Sequence, residues 1–164
     1  MEASIVNSIF KEYDIRGKIG KELNRETAYE LGRLFAKKSI IIAKDSRSSS
    51  IELLEAFKQG LLDSGSDIIE LKDVSSSPLL YFSHLELQTI GAVMITGSHN
   101  PLEYNGFKFM LNGEPLYGED LKKILNNKTS DGTGRSIIAD SHPFYVQSLL
   151  KAIKITKNFK IAWE

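Results

Sequence analysis

At 164 residues the chain is long enough for one core of two or three layers and too short for several. Apolar residues make up 41% and charged residues 26%, a globular balance that excludes a disordered or fibrous chain. With 21 basic and 21 acidic residues the formal charge is zero, so no global field draws nucleic acid or an anionic membrane, and the absence of cysteine excludes disulfides, thiolate metal sites and cysteine nucleophiles.

After an irregular opening through Gly17 and Gly20, Asn24 can cap a helix in which Ala28, Leu31, Gly32 and Phe35 recur at helical spacing, ending near Lys38. Residues 39–43 are a continuous β-branched run, the pattern of a strand covered on both faces, and Lys44, Asp45, Ser46 and Arg47 follow at its C-terminal end. Ser49 and Glu52 form a capping-box pattern ahead of Leu53, Leu54, Phe57 and Leu61, and Gly65 stands where that helix stops. Residues 67–71 read as the next strand, and Ser77-Pro78 supplies a cap and an N1 proline ahead of Leu79, Leu80 and Phe82.

Residues 91–95 are a third strand and 107–111 a fourth, with a polar loop between them. Asn112-Gly113 signals a turn, 119–125 a short helix, and 126–134 a flexible loop of Asn, Ser, Asp, Thr and Gly. Residues 143–153 carry Phe144, Tyr145, Leu149 and Ile153 for one more packed helix, and 159–163 has the pattern of a strand. Strands alternating with helices predict an α/β fold, a three-layer α/β/α sandwich around a mixed, mainly parallel sheet. The apolar runs are of strand length and no signal peptide opens the chain, so a cytoplasmic protein is expected, with neither membrane nor nucleic acid as partner.

In such folds ligands collect beyond the carboxyl ends of the strands, which directs attention to the loops after Ala43 and Ile95. The second loop sets Ser98, His99 and Asn100 between turn-forming residues, and Lys108 begins the next strand. A serine hydroxyl is a weak nucleophile at neutral pH and needs a neighbouring base or a substrate made electrophilic by cations. From the residues alone the plainer reading is that Ser98 and Asn100 only hold the turn while His99 is solvated. Tyr13, Asp14 and Arg16 before Gly17 can make an anion clamp or a plain surface turn. Lys44, Asp45 and Arg47 can bind phosphate or neutralise one another.

Tyr13-Asp14-Ile15-Arg16-Gly17, together with Thr96-Gly97-Ser98-His99-Asn100-Pro101 and Tyr104-Asn105-Gly106-Phe107-Lys108, resembles the α-D-phosphohexomutases, most closely their phosphomannomutase/phosphoglucomutase branch. The resemblance runs over essentially the whole chain and implies the N-terminal, phosphoserine-bearing domain. By it Ser98 would carry the phosphoryl group and ligate Mg²⁺ through it, Tyr13 and Arg16 would line the substrate cleft, and Lys108 with His99 would assist proton transfer. The substrate would be mannose or glucose 1- or 6-phosphate, interconverted through a bisphosphate. Ala43-Lys44 departs from the glycine and arginine of many relatives, which weakens any direct role for Lys44.

The family's magnesium aspartates come from an Asp-Gly-Asp-Gly-Asp loop in its second domain, a string missing from these 164 residues. The slowest phosphate-ester reactions need acceleration of about 10²¹, roughly 29 kcal/mol, whereas one placed donor contributes about 3–4 kcal/mol. The expectation is therefore a first domain over 1–155, the start of a truncated second domain over 156–164, and no turnover by the chain alone. A non-catalytic remnant that binds phosphate or a partner is the other reading.

Overall fold

The run of branched residues at 39–43 is strand β2 (Ser39–Lys44), and its side chains alternate between two cores. Ile40 and Ile42 enter one core, Ile41 and Ala43 the other, so the strand is covered on both faces as its composition requires. This is a computed structural model of the chain that describes residues 7–154, 156–158 and 160–162.

The sequence order is β1 (Ile15–Lys18), α1 (Arg25–Phe35), β2, α2 (Ser48–Asp63), β3 (Asp67–Val74), α3 (Ser77–Glu86), β4 (Gly91–Ile95), β5 (Tyr104–Leu111), β6 (Glu114–Pro115), α4 (Gly118–Lys122), β7 (Ser136–Ala139) and α5 (His142–Ala152). The seven-stranded sheet runs β1-β5-β4-β2-β3-β7, with β6 also on β5. Strands β4, β2, β3 and β7 are mutually parallel, whereas β5 is antiparallel to β4, β1 and β6. Helices α1 and α2 cover one face, over Val93, Ile95, Phe107 and Phe109. Helix α3 covers the other, over Ala92, Met94 and Met110. The three-layer α/β/α sandwich and its mixed sheet are thus those expected.

Local chemistry explains most boundaries. The Asn24 side chain accepts the Thr27 N–H at 2.8 Å and starts α1. Helices α1 and α2 cross through Gly32 and Gly60: a Cβ on Gly32 would lie 2.2 Å from the Phe57 carbonyl oxygen, and one on Gly60 2.1 Å from that of Tyr29. Asn112 and Gly113, both at positive φ, close the two-residue hairpin between β5 and β6.

Several expectations are corrected. The opening is not irregular throughout, because Ile15–Lys18 pairs with β5, and Ser136–Ala139 is a strand on β3. The Ser49–Glu52 capping box does not form. Arg47 precedes α2 without a side-chain cap, and Ser49 accepts a hydrogen bond from Asn105. Helix α3 is capped by Ser76 and not Ser77. The segment over 127–134 is tethered, its Gly132 and Gly134 amides donating to Asp63 and Leu62 at 2.8 and 2.9 Å. No residue of α5 is buried, and Tyr145 alone packs on the second core, its ring 5.3 Å from Phe82. The strand expected over 159–163 lies partly outside the described residues, and 160–162 are not strand.

The end of α3 holds a buried histidine. The Gly113 N–H donates to His84 Nε2 at 3.1 Å, so the ring is neutral with its proton on Nδ1, which donates to Thr89 Oγ1 at 2.7 Å. Burial lowers the His84 pKa below its ordinary 6.5. The unfolded chain therefore binds the proton first, and the stability that the neutral ring contributes is full above about pH 6.5 and lost as pH falls toward the folded pKa. Thermal melts at pH 7.5 and 5.5 should show a drop for the native chain and a smaller one for His84→Gln; equal drops would remove the histidine from the effect.

Candidate functional site

The loop between β4 and β5 closes at its base, where the Thr96 N–H donates to Gly106 O at 3.0 Å, while the Asp45 N–H donates to Ile95 O at 3.0 Å and draws the end of β2 alongside. Inside the loop, the Asn100 N–H and its side-chain Nδ2 both donate to Gly97 O, at 3.0 and 2.8 Å, and fix the turn. Buried Asn105 donates through Nδ2 to Ser49 and Ser50 Oγ, both at 2.8 Å, and so joins β5 to the first turn of α2.

Asp45 holds the loop's first residues. Its Oδ2 accepts the Gly97 N–H at 3.0 Å, and its Oδ1 accepts the Arg47 N–H at 3.0 Å and the Ser50 hydroxyl at 2.5 Å. Burial by itself would raise its pKa. Hydrogen bonds from Ser50, the Arg47 N–H, Thr96 and the Gly97 N–H outweigh that and hold the carboxyl below its ordinary value. Arg47 closes an ion pair with Asp45 at 3.4 Å and donates to the carbonyls of Ser98, Asn100, Pro101 and Tyr104. Of the two alternatives for this pair, mutual neutralisation is the one formed, with the loop backbone drawn in.

Ser98 sits at the exposed tip in the left-handed region, φ +53°. For a residue with a Cβ that conformation costs about 1–2 kcal/mol. Its N–H donates to Thr96 Oγ1 at 2.8 Å and its carbonyl accepts from Arg47 at 3.0 Å, which offsets the cost. The Ser98 hydroxyl stands 3.4 Å from Nδ1 of exposed His99, within reach of a base but loosely held.

Arg16 and Lys108 arrive from the paired strands. In the β1–β5 register Arg16 lies opposite Gly106 and Ile15 opposite Phe107, so Lys108 comes across from Asp14. The Asp14 carboxylate, only 5% exposed, takes Arg16 at 2.8 Å and Lys108 at 3.7 Å on the same Oδ2, while its Oδ1 has no partner. Arg16 reaches on to Asn100 Oδ1 at 3.2 Å, two residues from Ser98. One carboxylate therefore gathers two cations beside the serine loop. Tyr13 is not part of this set: it is 70% exposed with its ring 6.4 Å from that of Tyr117.

Sequence reasoning named Ser98, His99, Arg16 and Lys108 but not the linking roles of Asp14, Arg47 and Asn105. Their partners lie in other segments, and no local pattern announces a guanidinium that serves backbone carbonyls. Mg²⁺ takes oxygen ligands in octahedral array. Among the described residues there is no group of three or more His, Asp or Glu side chains, so these residues do not by themselves fit a complete site. Among the same residues no helix is long and apolar enough to cross a membrane.

The model of the phosphoglucomutase/phosphomannomutase family, alpha/beta/alpha domain I, matches residues 7–134. The chain is 38% identical to a phosphoglucomutase of Neisseria meningitidis serogroup A over 98% of its own length and 37% of the relative's. It is 36% identical to a phosphomannomutase/phosphoglucomutase of Pseudomonas aeruginosa, over 94% of this chain and 35% of the relative. A crystal structure of a phosphoglucomutase/phosphomannomutase family protein from Burkholderia thailandensis superposes with a TM-score of 0.83 at 34% identity, covering 93% of this chain and 37% of that one. The chain thus spans little more than a third of these relatives.

Proposed function

Because this chain belongs to the phosphoglucomutase/phosphomannomutase family, as its α/β/α domain I, we propose that Ser98 is the phosphoryl carrier of a cytoplasmic sugar-phosphate mutase. The observation that carries this reading is the exposed Ser98 hydroxyl on a left-handed corner at the carboxyl end of β4, with Arg16 tied to the same loop through Asn100. Its substrates would be mannose or glucose 1- and 6-phosphates. We assign 1–155 to the phosphoserine domain and 156–164 to the beginning of a second.

In the charging step Ser98 Oγ attacks a phosphorus of the hexose bisphosphate, the P–O bond to the sugar breaks, the serine proton leaves through His99, and the sugar oxygen is protonated as it departs. In the return step the phosphoryl group passes to a sugar hydroxyl whose proton His99 accepts, the bond from phosphorus to Ser98 Oγ breaks and Oγ is reprotonated, while the Lys108 ammonium donates to the reacting oxygens. Arg16 offsets charge on the transferring group, since phosphoryl transfer depends chiefly on positioning and electrostatics. Tyr13 would meet the sugar at the cleft's outer wall. Mg²⁺ in the complete enzyme would need ligands other than those described here.

Peptide mass spectrometry on the full-length protein after incubation with a hexose 1,6-bisphosphate tests the assignment: one phosphoryl group should appear, on the peptide containing Ser98. Label on any other residue would end it. With no group of three or more His, Asp or Glu side chains among the described residues, and no Asp-Gly-Asp-Gly-Asp string in the 164, the purified 164-residue chain should show no turnover of mannose or glucose 1-phosphate in a coupled assay. Substantial turnover would show that this domain alone suffices.

A further inference from the structure

Resting on that reading of Ser98, we propose that Arg47 is the positioning residue of this site, a guanidinium around which the serine loop is wrapped, with Gly97 as the surface that admits it. A guanidinium has five N–H donors and no acceptor. Here Nε faces Asp45 Oδ2 at 3.4 Å, Nη1 donates to Pro101 O at 2.8 Å and Tyr104 O at 3.0 Å, and Nη2 donates to Ser98 O at 3.0 Å and Asn100 O at 2.6 Å. All four Nη donors are taken by carbonyls and Nε faces the Asp45 carboxylate, so no N–H of Arg47 is turned toward a phosphate oxygen. It acts on the reaction only through the loop.

The geometry also explains why position 97 is glycine. A Cβ there would lie 2.3 Å from Arg47 Cζ and 2.4 Å from Nε. The tip of an arginine ordinarily yields to such a contact, but this one is fixed by its four carbonyls and Asp45, and its side chain is only 12% exposed. Without the cation, four carbonyl dipoles converge on an empty centre and Ser98 loses the bond on its own carbonyl. Lysine is no substitute, because three donors on a point charge cannot span this fork of acceptors.

The test uses the 164-residue chain and its Arg47→Ala, Arg47→Lys and Gly97→Ala variants, with the Arg47→Ala/Gly97→Ala double. Amide hydrogen exchange at Asn100 and Tyr104 should quicken about tenfold or more in each single variant, while Val93 and Met94 in β4 change less than about twofold. The double variant should exchange no faster than the singles, since both remove one interaction. Unchanged exchange in the loop, additive effects, or a uniform rise that includes β4 would each overturn the proposal. In the complete mutase that carries this domain, labelling of Ser98 by a hexose 1,6-bisphosphate, with Ser98→Ala as blank, should be about 100-fold slower in Arg47→Ala, the scale of a displaced reacting group. No labelling of the unsubstituted complete enzyme would count against Ser98 as carrier, whereas the exchange measurements on the 164-residue chain decide the role of Arg47 independently.

Discussion

Replacing Ser98 with glycine should abolish phosphoryl uptake while leaving the fold as stable as before. The two effects separate because Ser98 combines a reactive hydroxyl with a left-handed backbone, φ +53°. Glycine adopts that conformation without the roughly 1–2 kcal/mol that a Cβ costs there. It gives back about 0.5–1 kcal/mol through the greater freedom of the unfolded chain. Urea unfolding should therefore place Ser98→Gly between about 0 and 1 kcal/mol more stable than the native chain. In the complete enzyme, label from a hexose 1,6-bisphosphate should fall below detection, as no other side chain occupies the loop tip with a hydroxyl. Ser98→Ala should match it in chemistry and keep the strain. If Ser98→Gly still accepts the phosphoryl group, the carrier is elsewhere; if it unfolds readily, the left-handed corner is not as described.

The second large effect is on the fold. Gly60→Ala should destabilise the chain by about 3 kcal/mol or more, the upper range of overpacking. The sign is opposite to intrinsic preference, since alanine in a helix interior is favoured over glycine by about 1 kcal/mol. A Cβ on Gly60 would meet the Tyr29 carbonyl oxygen at 2.1 Å and the Arg33 nitrogen at 3.0 Å, and both are backbone atoms of α1 that cannot swing aside. Relief requires α1 and α2 to part, which loosens Leu31 and Phe35 in the same core as Phe57 and Leu61. Denaturant midpoints decide the matter. A variant of equal or greater stability would show that the helices do not cross here.

The elements legible in the sequence were those whose signal is local. The isoleucine run of β2, the Asn24 cap and the Asn112-Gly113 hairpin each state their structure within a few residues. Strand β1 was illegible because Arg16, Gly17 and Lys18 have little strand character; pairing with β5 imposes it. Strand β7 was hidden by its brevity and by the polar residues around Ile137 and Ile138. The capping box at Ser49 failed for a tertiary reason, its hydroxyl being engaged by Asn105. In the site, the candidate residues Ser98, His99, Arg16 and Lys108 stand in recognisable motifs, but the residues that support them do not. Nothing local joins Asp14 to Lys108 or Arg47 to the carbonyl of Tyr104; the topology does.

The pairing of β1 with β5 also sets a timetable. Arg16 and its partner Asn100 are 84 residues apart, so β1 is the first strand to be synthesised and waits for one of the later ones. At translation rates of 5–20 residues per second that interval is roughly 4 to 17 s. Closing the segment costs on the order of 4 kcal/mol in chain entropy, before any constant term. Until then the nascent β2–β4 unit can present Ser98 on its turn, but without Arg16 or the Asp14 that gathers Lys108. A ribosome-bound chain stalled before residue 104 should thus lack the carboxylate-centred pair of cations beside its serine loop, which assembles in one step, when the oldest strand meets one of the youngest.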